Sequence, residues 1–402
     1  MHRRRLWLGT ALLLLPLSSF ASFIESTIGT AVVNDATAVD FNPAALTLLK
    51  NPQIIGLGSV AYFHTQFTGQ STQTATGLTQ TGTTNTNTNY YLPSFYFALP
   101  VTKNITTGIA VISNIFDREL DENTLLRYVQ ATNSIKDVDI VPAIGVKVND
   151  VLSVGASITY SYANFLLQPI SGFPSLNIPD VQSRNDASSK SFGGDVGLLL
   201  QPAKATLIGF NYHTAISYHL SGTSTLETMT PLVSNNYSFN FWTPARSVLT
   251  VSQFVSPKLG FIGTAQRVQW SIFNTVTLHN VATQVGPTAQ IVPSATIPFH
   301  WHNTWIVTGG TQYKITPKWI VRAAATYNES PGNSSYQITN GNSVILGASA
   351  GYEINKYFII DGSYAHAFIQ NKSINVTTGT FLINGINRSI RDSYSLKLTV
   401  NV

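Results

Sequence analysis

The chain has 402 residues, no cysteine, and 23 Lys and Arg against 18 Asp and Glu. Only 10% of its residues are charged, where soluble domains average about 25%, so much of the folded surface does not face bulk water. No run of roughly 18 apolar residues occurs, which excludes membrane-spanning helices and leaves a closed β-barrel as the structure that crosses lipid with its backbone groups bonded; a soluble β-helix or an adhesin stays open.

The N-terminus reads as a cleaved secretory signal over residues 1–21. Basic residues from His2 to Arg5 precede an apolar run, Leu6 to Leu17, and Ser19-Phe20-Ala21 supplies the small residues a signal peptidase reads. That run is too short to span ~30 Å of hydrocarbon. Its removal takes Arg3, Arg4 and Arg5 and no acid, so the net charge falls from +5 to +2. A chain so near balance has no concentrated basic face, and nucleic acid is not expected as a partner. Without cysteine there are no thiolate metal sites, redox motifs or disulfides.

Beyond residue 51 the dominant pattern has a period of two. From Leu152 to Tyr162 apolar residues alternate with Ser153, Gly155, Ser157, Thr159 and Ser161, and Tyr394 to Val402 repeats the arrangement. Connection lengths discriminate between all-β folds better than alternation does. Tight connections near Val101–Asn104, Asn149-Asp150, Gln201–Lys204, Val255–Lys258, Ile315–Lys318 and Ile354–Lys356 carry the Pro, Asn, Asp and Lys that end strands. Long polar stretches near 65–89, 116–136, 165–189, 220–236, 273–300, 330–341 and 371–387 separate them. Six short turns and seven long loops join fourteen strands, with both barrel ends on the short-turn side, as in an outer-membrane barrel. The first two strands fall near Gln53–Phe63 and Tyr90–Pro100, with a solvated, low-complexity loop over Gln66–Asn89. Aromatics near strand ends, among them Tyr90, Tyr91, Phe95, Phe97, Phe241, Trp242, Trp270, Trp301, Trp305 and Trp319, suit interfacial girdles.

Chemical motifs are sparse. Gly347-Ala348-Ser349-Ala350-Gly351 spells a nucleophile elbow, but it sits inside an alternating run with no helix after it, so small residues on a lumen face account for it better. His300 and His302 offer two imidazoles without a nearby carboxylate, short of a metal site. The mixed-charge stretch Asp117-Arg118-Glu119-Leu120-Asp121-Glu122 reads as a solvated loop, with substrate gating as its other meaning. No cofactor, metal or catalytic constellation is expected.

Residues Ser22 to Leu49 lack the two-residue period and carry Asn34-Asp35-Ala36 and Phe41-Asn42-Pro43-Ala44-Ala45-Leu46. The run Ala31 to Leu49 resembles the N-terminal signature of the FadL family of outer-membrane fatty acid transporters, marked by Asn-Pro-Ala after an Asp-Ala pair. Tyr128 to Asn164, Gly193 to Tyr212, Trp270 to Phe273, Asn328 to Pro331 and Gly347 to Ala365 follow in the family's order. The resemblance implies an all-β transmembrane barrel of about 14 strands over 51–402, plugged by an N-terminal hatch over 22–50. It also implies passive uptake of long-chain fatty acids or similar hydrophobic molecules, captured at outer loops, held in an apolar pocket and released sideways. Asn42, Pro43 and Ala44 would be hatch architecture, and Phe23, Ile24 and His302 would meet the ligand. Phe165 to Ile170 has no Arg or Lys, which leaves a neutral ligand open. Expected partners are outer-membrane lipid, lipopolysaccharide and the barrel-assembly machinery, with the barrel working as a monomer in a Gram-negative outer membrane. An adhesin or structural barrel, and a lipid hydrolase using Ser349, are the alternatives; neither explains the hatch-like segment.

Overall fold

A computed structural model describes residues 23–119, 124–129, 132–173, 178–377 and 381–402. The expected signal peptide and Leu120-Asp121-Glu122 lie outside the described residues. Fourteen strands form the wall: β1 (Gln53–Gln73), β2 (Thr79–Pro100), β3 (Ile105–Glu119), β4 (Thr132–Lys147), β5 (Leu152–Gln168) and β6 (Ile178–Ala203). Four interrupted strands follow: β7 (Thr206–His213 and Ile216–Leu226), β8 (Leu232–Thr243 and Arg246–Phe254), β9 (Leu259–Val268 and Thr275–Val285) and β10 (Thr288–Pro298 and Thr304–Lys314). β11 (Trp319–Asn328), β12 (Ser343–Glu353), β13 (Phe358–Ile369, continued by Lys372–Thr377) and β14 (Phe381–Asn401) complete the set. Each pairs antiparallel with its neighbour, and β14 returns to β1 from Gln53↔Asn401 to Gln73↔Phe381, closing the barrel.

Alternation sets which face each strand shows. On β5 the apolar residues Ala156, Ile158 and Tyr162 point outward and are exposed, while Ser153, Ser157, Thr159 and Ser161 point inward and are buried. β14 does the same with Leu396 and Leu398 outside, Ser395, Lys397 and Thr399 inside. Small polar inward residues leave room for a buried segment made of α1 (Phe23–Ile28), α2 (Ala38–Phe41) and 3-10 turns at Thr30–Val32 and Pro43–Leu48. Its Ile24, Val33, Val39 and Leu46 form one core with Ile55, Tyr96, Ala110 and Val141 of the wall.

All six tight connections stand where expected, but most of the expected long loops are strand. Gln66–Asn89 is a β-hairpin in which β1 and β2 pair out to Thr72↔Thr79, and β14 flanks it throughout. Thr and Asn carry few apolar cues, yet they suit a strand whose stability comes from ladder bonds and cross-strand pairs such as Thr68–Thr83 and Gln66–Asn85. A strand crosses the membrane in about 9–11 residues, so the 21 residues of β1 rise well beyond it. Residues 273–300 are likewise a hairpin.

The aromatic set also divides. Tyr91, Phe95, Trp305 and Trp319 are exposed on the outer face, as girdle residues should be, whereas Tyr90, Phe241, Trp270 and Trp301 are buried inside. Strand ends bring rings to the interface only when parity turns them outward.

Candidate functional site

The Asn42-Pro43-Ala44 turn is joined to the wall. Asn42 caps the 3-10 turn by accepting the Ala44 N–H at its Oδ1 (3.1 Å), and Pro43 occupies the first position, where a missing N–H costs nothing. The Asn42 Nδ2 donates to Ala31 O within the segment (2.7 Å) and to Leu198 O of β6 (3.1 Å). Close approach is possible because Gly145, Gly155 and Gly197 stand side by side on β4, β5 and β6. A Cβ at Gly145 would sit 2.5 Å from Pro43 O, one at Gly155 would fall on the Pro43–Ala44 peptide, and one at Gly197 on Asn42 Oδ1.

Around the rest of the barrel the segment is held by polar contacts. Lys397 of β14, 1% exposed, places its Nζ 2.8 Å from Asp35 Oδ2 and 3.4 Å from Glu25 Oε1. Ala31 N–H donates to Thr250 Oγ1 (3.1 Å). Thr27 and Ser349 share a hydroxyl hydrogen bond of 2.8 Å. Ser349 is therefore a mid-strand seat for α1, in the geometry of a wall residue and without the strand-to-helix turn of an elbow.

Cavities lie between this segment and the wall among the described residues, two of them bordered by residues of the segment itself. One, of about 80 Å³, is lined by Phe23 with Thr308, Thr326, Ile345, Ser395 and Arg391; the other, of about 90 Å³, by Asp40, Asp137, Asp139, Tyr218, His213 and Arg246. Ser59 and Leu92 border both. Each is smaller than the ~300 Å³ at which ligand pockets begin, so a long molecule needs side chains to move. Beside the second cavity the wall loosens: β6 and β7 pair up to Asp195↔His213 and resume at Ser188↔Ser221, leaving Ser189–Gly194 and Thr214–Leu220 outside the ladder. Ser191 Oγ bonds to Ser217 O and Thr214 N–H to Gly194 O across this break.

Above the cavities the interruptions of β7 to β10 align, and the residues at the bends collect aromatic rings. Phe273 lies 5.2 Å from Phe241 and from Trp301 and 5.9 Å from Phe299 and Trp270, and Phe165 is 4.7 Å from Phe241. The Trp301 Nε1–H reaches Gln337 Oε1 (3.0 Å) on the 329–342 connection.

Of the residues singled out in the sequence, Phe23 lines the first cavity. Ile24 is fully buried in the core that the N-terminal segment shares with the wall, and lines neither cavity. His302 is exposed, its backbone N–H on Pro331 O, and His300 lies tilted against the Tyr336 ring at 4.3 Å, so the two imidazoles do not converge. No group of three metal-competent side chains occurs among the described residues. Sequence reasoning missed Lys397, the glycine row and Arg118, which is buried on the lumen face where a solvated loop was expected. Parity carried on from Ile112 and Phe116 would have found it.

The sequence matches the family of outer membrane protein transport proteins described as OMPP1/FadL/TodX over residues 27–399. The chain belongs to this family. Its barrel is similar to that of a Pseudomonas aeruginosa FadL homologue, with a TM-score of 0.80 at 19% identity over 92% of this chain and 95% of that one. It is also similar to the Pseudomonas putida toluene transporter TodX (TM-score 0.66, 14% identity, 92% and 95% covered) and the Ralstonia pickettii toluene transporter TbuX (0.65, 16%, 91% and 93%). A Neisseria meningitidis serogroup B protein, named as an outer membrane protein, is 26% identical over 187 residues, 41% of this chain and 40% of its own length. The chain is thus an outer-membrane β-barrel of this transport protein family, and its short turns face the periplasm.

Proposed function

We propose that this protein is a passive outer-membrane channel for long-chain fatty acids or similar hydrophobic molecules, captured at the outer aromatic cluster, passed to the cavity beside Phe23 and released sideways through the wall. The reading is carried by the aromatic vestibule around Phe273 standing directly over a lumen filled by the 23–49 segment. A hydrophobic molecule loses roughly 0.8 kcal/mol for each CH₂ left in water, so an apolar path that bypasses an aqueous pore favours it. The break between β6 and β7 beside the second cavity supports exit into lipid there. The segment 22–50 then acts as a hatch that closes the direct route.

The test is uptake of labelled oleate by cells lacking their own transporter, comparing the intact protein with a variant carrying Asn42→Ala and Pro43→Ala, surface expression confirmed for both. Uptake that falls in the variant is the expected result. A folded barrel that takes up no oleate ends the fatty acid assignment.

A further inference from the structure

Asp137 and Asp139 lie two residues apart on β4, and both line the second cavity. A strand rises ~3.3 Å per residue, so carboxyls so placed on one face stand within ~7 Å of each other. The cationic groups of this cavity are already engaged: Arg246 Nη2 lies 4.0 Å from Asp40 Oδ1, and His213 Nδ1 is 2.9 Å from Asp195 Oδ1. Neither Asp137 nor Asp139 forms an ion pair among the described residues. Asn114 Nδ2 donates to Asp137 Oδ2, and Asp139 has beside it the Ser161 hydroxyl, which also bonds the Tyr218 hydroxyl at 2.8 Å. Asp139 Oδ1 is shut off from solvent and has no hydrogen-bond partner among the described residues, and the same holds for Thr243 Oγ1 on the wall of the same cavity.

Two acids held together in an enclosed lumen repel each other, and ionisable groups inside a membrane protein mark functional sites by default. What the acids lack is a positive charge that also brings hydrogen-bond donors. A metal ion does not suit them, because no three metal-competent side chains converge among the described residues. An ammonium does suit them: it carries three N–H donors and no acceptor, and a carboxylate bonds it more strongly than it bonds a neutral donor. The rest of the lining is apolar, with Phe41, Leu57, Leu92 and Ile112, and Leu92 also borders the first cavity, so a hydrocarbon tail has a covered surface leading away from the acids. We propose that the second cavity is a binding site for the protonated head of a hydrophobic amine, with Asp139 and Asp137 as its countercharges and Thr243 as a further acceptor. This is a ligand class beyond the fatty acid channel proposed above, and it stands independently of that reading.

The test is equilibrium binding of radiolabelled dodecylamine and dodecanol to the full-length mature protein in nonionic detergent at neutral pH, each corrected for partition into protein-free micelles. A primary alkylamine titrates near the lysine value of about 10.4 and is charged under these conditions. The unaltered protein should bind the amine at least tenfold more tightly than the alcohol. Asp139→Asn and Asp137→Asn, which keep the side-chain shape, should each lower amine affinity about tenfold and leave the alcohol within twofold. Equal affinity of the unaltered protein for both ligands overturns the site, and this arm needs no variant to fold. A parallel loss of both ligands in folded variants assigns the acids to packing and also overturns it, as does an unchanged amine affinity. Complete displacement of the amine by millimolar calcium chloride at constant ionic strength would give the site to an inorganic cation and overturn the amine assignment. Oleate uptake is read separately: uptake without amine preference keeps the channel and loses the site, and amine preference without uptake keeps the site alone.

Discussion

The seat of the N-terminal segment and the aromatic cluster around Phe273 fill the same barrel by opposite means. At the periplasmic end contact runs through backbone and small side chains: Asn42 bonds to Leu198 O, the glycine row admits the Pro43–Ala44 peptide, and Lys397 joins Asp35 to the wall. At the outer end Trp270, Phe273, Phe299 and Trp301 pack at the bends of β9 and β10, where the strands are interrupted. Directional bonds between fixed backbones hold one geometry, whereas ring packing tolerates shifts of neighbouring rings at modest cost. The first region suits a fixed barrier and the second a surface that yields to an apolar guest.

The comparison breaks hardest at the glycine row. Gly155→Val would drive a branched side chain into the Pro43–Ala44 backbone, which cannot rotate away. The expected result is an assembled barrel with an unseated hatch, seen as new protease cleavage within 23–50 and a heat-modifiable gel shift at lower temperature. Gly58→Val is the control, because nothing lies within 4 Å of a Cβ there, and it should leave both readouts unchanged. Lys397→Met comes next. It removes the ammonium that Asp35 and Glu25 share, and removing one partner of a buried ionic group costs about 3–5 kcal/mol. Hydrogen exchange of the hatch amides should rise well beyond that of the β4–β5 ladder; equal protection would mean that the ions contribute little to docking.

These two targets differ in how readable they are. The wall was legible because inward and outward residues on β5 and β14 differ in chemistry, and the tight turns because Pro, Asn and Asp stop strands. Gln66–Asn89 was not, since hydropathy cannot report a strand stabilised by its neighbours' ladder bonds. Gly145, Gly155 and Gly197 lie on three separate strands. Only register puts them in one row, and register is a property of pairing that no single strand contains. Arg118 was hidden by Asp117 and Glu119, whose charges suggest solvent until parity sends the middle residue inward. The Asn42-Pro43-Ala44 turn was visible as a signature, but its bond to Leu198 was not.

At the vestibule a milder effect is expected. Trp301→Ala removes the ring between Phe273 and Phe299 and the bond to Gln337, a change of about 3–5 kcal/mol for a fully cooperative core. Here the loss should stay local. Exchange should rise in 299–303 and 329–342 and oleate capture should fall, while the hatch stays as protected as before. A hatch that loosens in step with the rim would erase the distinction between the two regions.

The smallest expected effect lies at the outer lid. Residues 124–129 carry Leu126 and Val129 into a core with Phe67, Ile338, Ile374 and Phe381, and Tyr128 stacks on Phe381 at 5.1 Å. The same turn is tied sideways to β6, where Asp180 meets Arg127 Nε at 3.0 Å and the Tyr128 hydroxyl. Asp180→Asn keeps the shape and removes the charge. The Asp180 side chain is 36% exposed, and ion pairs open to water contribute about 0–1 kcal/mol, so the unfolding temperature should hardly move. If apolar packing keeps the lid down, exchange at Leu126 and Val129 should also stay near its original rate in low and high salt. If instead exchange there rises tenfold in Asp180→Asn and in the unaltered protein at high salt, the ion pair is the catch, and the outer mouth, unlike the vestibule beneath it, is held electrostatically.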